Sequence, residues 1–165
     1  MTEATLTQIL IENLRRKDEL NKIARAGNRR VEMRREIGNT SFRADIFISL
    51  QKDAELTAKE LERGTSFIAI EVKIKDWRQG LYQAWRYNSF AEKSYLAIYK
   101  PYAKNVDVSQ FVEYNVGLIV FDEESIAILN QPKKQTFRKD NVYSTTLREK
   151  IWQSLPAVKS VQPVL

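Results

Sequence analysis

The sequence predicts an α/β domain built on a central mixed β-sheet flanked by helices, and three observations carry that expectation. Ser66-Phe67-Ile68-Ala69-Ile70-Glu71-Val72-Lys73-Ile74 is a short apolar run with alternation, the pattern of a buried strand. After it, apolar runs at 94–99, 118–121 and 126–129 alternate with helical stretches at 77–92 and 107–115, an order that builds a helix-covered sheet. Before it, the strand-like runs 29–37 and 41–48 flank the turn signal Gly38-Asn39-Thr40 and read as an antiparallel hairpin. The 165 residues suit one domain with a sizeable core.

Residues 3–20 read as an amphipathic helix with Leu6, Ile9, Leu10 and Leu14 on one stripe, and with Arg15, Arg16 and Lys17 near its end, where cations suit the helix dipole. Ala26-Gly27-Asn28 is a turn signal. Arg29, Arg30, Arg34, Arg35 and Arg43 gather on the hairpin, either as an exposed charged face or as a phosphate-contacting surface. Residues 51–64 are polar, a loop or a short exposed helix over 54–63. Asp76 suits a helix N-cap. The helix behind it buries Trp77, Leu81 and Ala84, turns Tyr82 and Arg86 outward, and makes Gln83 and Tyr87 neighbours at i, i+4. Residues 122–125 form a hairpin turn.

From Gln131 the composition shifts. Pro132-Lys133-Lys134 and Arg138-Lys139 make a basic linker, 144–155 a helix capped by Ser144, and 156–165 an extended tail. This segment, 131–165, reads as an extension of the domain formed by 1–130. Its Ile151, Trp152, Leu155 and Val158 either pack on the core or form a homodimer interface.

Composition excludes several chemistries. There is no cysteine, hence no disulfide and no thiolate metal site, and no histidine, hence no imidazole ligand and no Ser-His-Asp triad. Any metal is held by oxygen, which favours Mg²⁺ or Mn²⁺ over Zn²⁺. The net charge of +6 and a pI near 9.5 favour polyanionic partners. No apolar run spans a bilayer and residues 1–5 do not resemble a signal peptide, so a soluble cytoplasmic protein without a membrane partner is expected.

The central strand carries the chemistry. Alternation puts Ile68, Ile70, Val72 and Ile74 on one face and Phe67, Ala69, Glu71 and Lys73 on the other. Glu71 and Lys73 are either an ion pair at a sheet edge or part of a site. Asp45, inside Ala44-Asp45-Ile46-Phe47-Ile48, is a residue type depleted in strands; it marks a strand end or bulge, or a second acidic site residue.

Asp45, then Glu71-Val72-Lys73 at the end of an apolar strand, then Gln83-x-x-x-Tyr87 on the next helix, resembles the PD-(D/E)xK phosphodiesterase superfamily over roughly residues 1–130. Ala44 stands where many members of that superfamily have proline. The resemblance implies a restriction-endonuclease-like fold and a divalent-metal-dependent nuclease, with DNA the favoured substrate. It implies that Asp45, Glu71 and the main-chain carbonyl of Val72 hold Mg²⁺ or Mn²⁺. Lys73 then orients the attacking water or stabilises developing charge, Gln83 reaches that water or the backbone, and Tyr87 supports it. Some members add an acid from the first helix; Glu12 here is either that acid or, the preferred reading, a plain solvent-facing residue. A catalytically inactive nucleic-acid-binding or assembly module on the same fold is the alternative.

Overall fold

The computed structural model describes residues 1–16, 18–38, 43–52, 64–138 and 140–155. Helices α1 (Glu3–Arg16) and α2 (Glu19–Ala24) precede strands β1 (Arg30–Gly38) and β2 (Arg43–Gln51). Strand β3 (Ser66–Lys73) leads through α3 (Trp77–Arg86) to β4 (Lys93–Tyr99), and then come α4 (Val108–Tyr114), β5 (Gly117–Phe121), β6 (Ile126–Asn130) and α5 (Val142–Ser154). The expected turn at 39–40, the start of the second strand at 41–42, the helix at 54–63 and the tail at 156–165 lie outside the described residues.

The six strands form one mixed sheet in chain order. β1 and β2 are the expected antiparallel hairpin, β2 and β3 are antiparallel, β3–β4 and β4–β5 are parallel, and β5–β6 is antiparallel. Parallel neighbours need a crossover, and α3 and α4 supply the two crossovers. β3 is buried at all eight positions, because both of its faces are covered.

Helices lie on both sides of the sheet. On one side Leu6, Leu10 and Leu14 of α1 and Ile23 of α2 pack on Ile46, Ile48, Ile68, Ile70 and Val72. On the other, Trp77, Leu81 and Ala84 of α3 and Phe111 of α4 pack on Leu96, Ile98 and Leu118. Beside them Leu147, Ile151, Trp152 and Leu155 close over Phe47, Phe67 and Phe90. The apolar residues that suggested a dimer thus serve the chain's own core, apart from Val158, which lies outside the described residues.

Three expected boundaries shift. The first helix does not run to residue 20, because Asp18 adopts the left-handed conformation with φ 57° and α2 starts anew at Glu19. The helix expected over 77–92 ends at Arg86, so Tyr87 begins a 3₁₀ turn. α5 is capped by Asn141, whose side chain accepts from the Ser144 N–H at 3.1 Å, so Ser144 is the capped residue. Among the described residues no helix is long and apolar enough to cross a membrane.

Candidate active site

The β2–β3 ladder runs from Leu50↔Ser66 to Ile46↔Ile70 and stops. Beyond that point the Asp45 carboxylate takes over, with Oδ2 accepting the Val72 N–H at 2.7 Å. A short acidic side chain thus replaces a ladder carbonyl, which explains an aspartate in this strand. The N–H and C=O of one strand residue point to the same side. The Val72 carbonyl therefore faces the gap that Asp45 occupies.

Glu71, the next residue back on β3, turns to the α3 side and is only 5% exposed. Its Oε2 accepts from the Tyr87 hydroxyl at 2.6 Å, and the same hydroxyl lies 2.9 Å from the Arg43 carbonyl oxygen. One phenolic proton cannot serve two acceptors. When Glu71 is protonated, its own O–H can donate to the Tyr87 oxygen and Tyr87 can donate to Arg43. Donation from Tyr87 to the ionised carboxylate lowers the Glu71 pKa, against the causes that raise it. Burial first, and then the charge of Asp45, push the Glu71 carboxyl up to about 7. Asp45 is also raised, mainly by burial, against the lowering effect of the Val72 N–H. Burial and the nearby Glu71 charge raise Tyr87, so it remains a hydrogen-bond donor.

Lys73 closes the site. Its ammonium lies 3.7 Å from Glu71 Oε1 and 3.5 Å from Glu3 Oε1, ion-pair distances longer than a good hydrogen bond. Glu71 and Lys73 are therefore at ion-pair distance, and the charges of Asp45 and Lys73 both act on Glu71. The aliphatic stem of Lys73 is covered by α3 at Gly80. A Cβ there would stand 2.8 Å from Lys73 Cγ and 2.5 Å from Leu96 Cδ1. A glycine inside a helix costs about 1 kcal/mol relative to alanine, and here it allows the helix to lie against β3 and β4.

The first-helix acid that lies near Lys73 is Glu3, while Glu12 faces solvent. Glu12 is exposed and accepts from Gln8 at 3.3 Å, whereas Glu3 starts α1 at the end of β3 where Lys73 emerges. Gln83 sits on α3 one turn before Tyr87, half-buried, its Oε1 shielded from solvent without a hydrogen-bond partner among the described residues. Glu71 contacts both Tyr87 and Lys73, Asp45 contacts the Val72 N–H between Glu71 and Lys73 on β3, and Gln83 Oε1 has no hydrogen bond to any of them. The sequence reading missed Gly80, whose signal is a glycine mid-helix, and Glu3, which has no local signal.

Among the described residues no group of three or more acidic side chains is placed to hold a metal. The available donors are the two carboxylates and the Val72 carbonyl. All are hard oxygens; burial raises both carboxyls and the Asp45 charge raises Glu71 further, a cost that a divalent cation relieves, so the residues fit Mg²⁺ or Mn²⁺.

Elsewhere on the hairpin the arginines are engaged. Arg30 bonds Gln51 at 2.6 Å and pairs with Glu32, Arg34 pairs with Glu32, Arg43 pairs with Glu36, and Arg35 reaches Gln8 and the Ala4 carbonyl.

No family model matches the chain, and no curated protein matches it. A solved structure, an SPO1766 protein of unknown function from Silicibacter pomeroyi, is similar over 81% of this chain and 79% of its own, with 15% identity and a TM-score of 0.47.

Proposed function

We propose that the chain is a divalent-metal-dependent nuclease of restriction-endonuclease-like fold that hydrolyses phosphodiester bonds, with DNA the favoured substrate. The observation that carries the reading is the meeting of Asp45, Glu71 and Lys73 at the carboxyl end of β3, two carboxylates bearing raised pKa values beside one ammonium. Open α/β sheets place their sites at the carboxyl ends of strands.

Asp45, Glu71 and the Val72 carbonyl would hold the cation. When bound, Mg²⁺ or Mn²⁺ supplies Lewis-acid neutralisation of the phosphate and lowers the pKa of a bound water. The Tyr87 hydroxyl, which donates to Glu71 Oε2, would orient the Glu71 carboxylate in its ionised form. Lys73, 11% exposed at its side chain, presents a fixed ammonium where charge develops on the phosphoryl group or the attacking oxygen. The Gln83 amide is available to the attacking water.

The outer surface of α3 supports a nucleic-acid substrate. Tyr82 and Trp85 are 58% and 46% exposed with ring centres 6.1 Å apart, and Tyr114 stands 6.5 Å from Trp85. Arg78 and Arg86 flank them, Arg86 lying over the Tyr82 ring. Aromatic faces interleaved with guanidinium groups suit stacked bases and their phosphates.

The test incubates the full chain with single- and double-stranded DNA and RNA in Mg²⁺, Mn²⁺ or EDTA. Cleavage that requires the metal is expected, strongest on DNA. Tight binding without cleavage in either metal would overturn the reading in favour of an inactive nucleic-acid-binding module.

A further inference from the structure

At the other end of the central strands lies a second concavity that the proposed chemistry does not use. It is a cavity of about 500 Å³, within the range of small-molecule sites. Five cations line it: Arg25, Arg29, Lys93, Lys133 and Lys134. Glu92 is the carboxylate in its wall, and Glu92 is already spent. It pairs with Arg148 of α5 and accepts the Phe67 N–H. Among the described residues none of the five cations has a carboxylate partner within ion-pair distance.

Two of the five are held in place by the fold. Arg29 donates from Nη1 to Ser66 Oγ at 3.1 Å and from Nε to the Ala26 carbonyl at 3.2 Å. Lys93 donates to the Ile23 carbonyl at 3.3 Å. Burial and the neighbouring Arg25, Lys134 and Arg29 charges hold Lys93 below its ordinary range, the mark of like charges crowded without a counter-ion. Such crowding is relieved by a multivalent anion, and fixed guanidinium groups suit phosphate oxygens.

We infer that this cavity binds a polyphosphate group, carried by a nucleotide or free as inorganic polyphosphate. It starts at Ser66, five residues and ~17 Å along β3 from Glu71, so it is separate from the carboxylate pair and does not depend on the function proposed for it.

Calorimetric titration of the full chain in EDTA, with inorganic triphosphate and with a nucleoside triphosphate, tests the inference without engaging the metal site. Saturable binding of both is expected, weakening steeply with salt. The Lys133→Ala/Lys134→Ala variant, altered only in an extended exposed segment, should bind at least tenfold more weakly. Lys100→Ala/Lys104→Ala, basic residues elsewhere, should bind as the parent does. Tighter binding of the nucleotide than of triphosphate identifies the nucleotide as the source, with Leu50 and Ile68 in the wall meeting its base; equal affinity identifies the free anion. No saturable binding, an equal loss in both double variants, or binding of an oligonucleotide but of neither triphosphate would overturn the inference.

Discussion

Replacing Glu71 by glutamine should stabilise the metal-free protein above neutral pH, and the magnitude follows from the burial of its charge. The Glu71 carboxyl rises from 4.5 to about 7 on folding. Below pH 4.5 the group is protonated in both the folded and unfolded chain and has no effect. Between 4.5 and 7 the unfolded chain loses the proton and the folded chain keeps it. Stability therefore falls as pH rises through this window, and the loss is complete above it. The shift corresponds to about 3 kcal/mol. Glutamine carries no charge in either state and keeps an oxygen for the Tyr87 hydroxyl. Lys73 keeps Glu3 at 3.5 Å. In EDTA at pH 8, Glu71→Gln should melt on the order of 6 to 12 °C above the parent, and its stability should fall less steeply between pH 4.5 and 7 than the parent's does. Saturating Mn²⁺ should stabilise the parent and leave the variant unmoved. If Glu71 and Lys73 are instead a stabilising ion pair, the variant loses a few kcal/mol by leaving a partly buried cation with one partner fewer. A variant less stable than the parent at pH 8 would refute the reasoning.

Three further outcomes follow from the same contacts. Metal affinity should weaken as pH falls below about 7, because the cation must displace the Glu71 proton; Mn²⁺ titrations at pH 6 and 8 read this directly, and equal affinities would contradict it. Gly80→Ala should destabilise despite its better helix propensity: the contacts at 2.5 and 2.8 Å call for overpacking of about 1–3 kcal/mol against a gain of about 1, measured by urea denaturation. Arg148→Ala should cost about 3–5 kcal/mol, since it strands buried Glu92 and removes bonds to the Phe90 and Thr65 carbonyls; Arg148→Ala with Glu92→Gln should recover part of that loss in the same assay.

The strands were legible because their apolar alternation is local. β3 was expected over 66–74 and spans Ser66–Lys73, and the hairpin before it pairs as expected. Helix ends were less legible, since the left-handed Asp18 and the early end of α3 at Arg86 depend on the packing around them. That Glu71 and Lys73 share a face was legible from alternation, and the β2–β3 pairing brings Asp45 to the Val72 N–H beside them. Glu3 was not legible: it reaches Lys73 only because α1 crosses the sheet so that its first residue lies at the end of β3. The Asn141 cap was overlooked although its signal, an Asx residue three positions before Ser144, is local. The choice between core and interface for Ile151, Trp152 and Leu155 depended on whether the aromatic face of Phe47, Phe67 and Phe90 was already covered, which periodicity does not report.

The central claim is that the end of β3 performs phosphodiester hydrolysis, and Lys73→Ala tests it most directly. In the proposed mechanism Lys73 acts on charge that develops in the transition state, and it supplies no oxygen to the cation. The measurement is the single-turnover rate of DNA cleavage in saturating Mn²⁺, with the melting temperature and Mn²⁺ affinity of the same preparation. The expected result is a folded variant that binds Mn²⁺ and cleaves at least about a hundredfold more slowly, on the order of 3 kcal/mol of transition-state stabilisation. A folded Lys73→Ala variant that cleaves at the parent rate would contradict the claim.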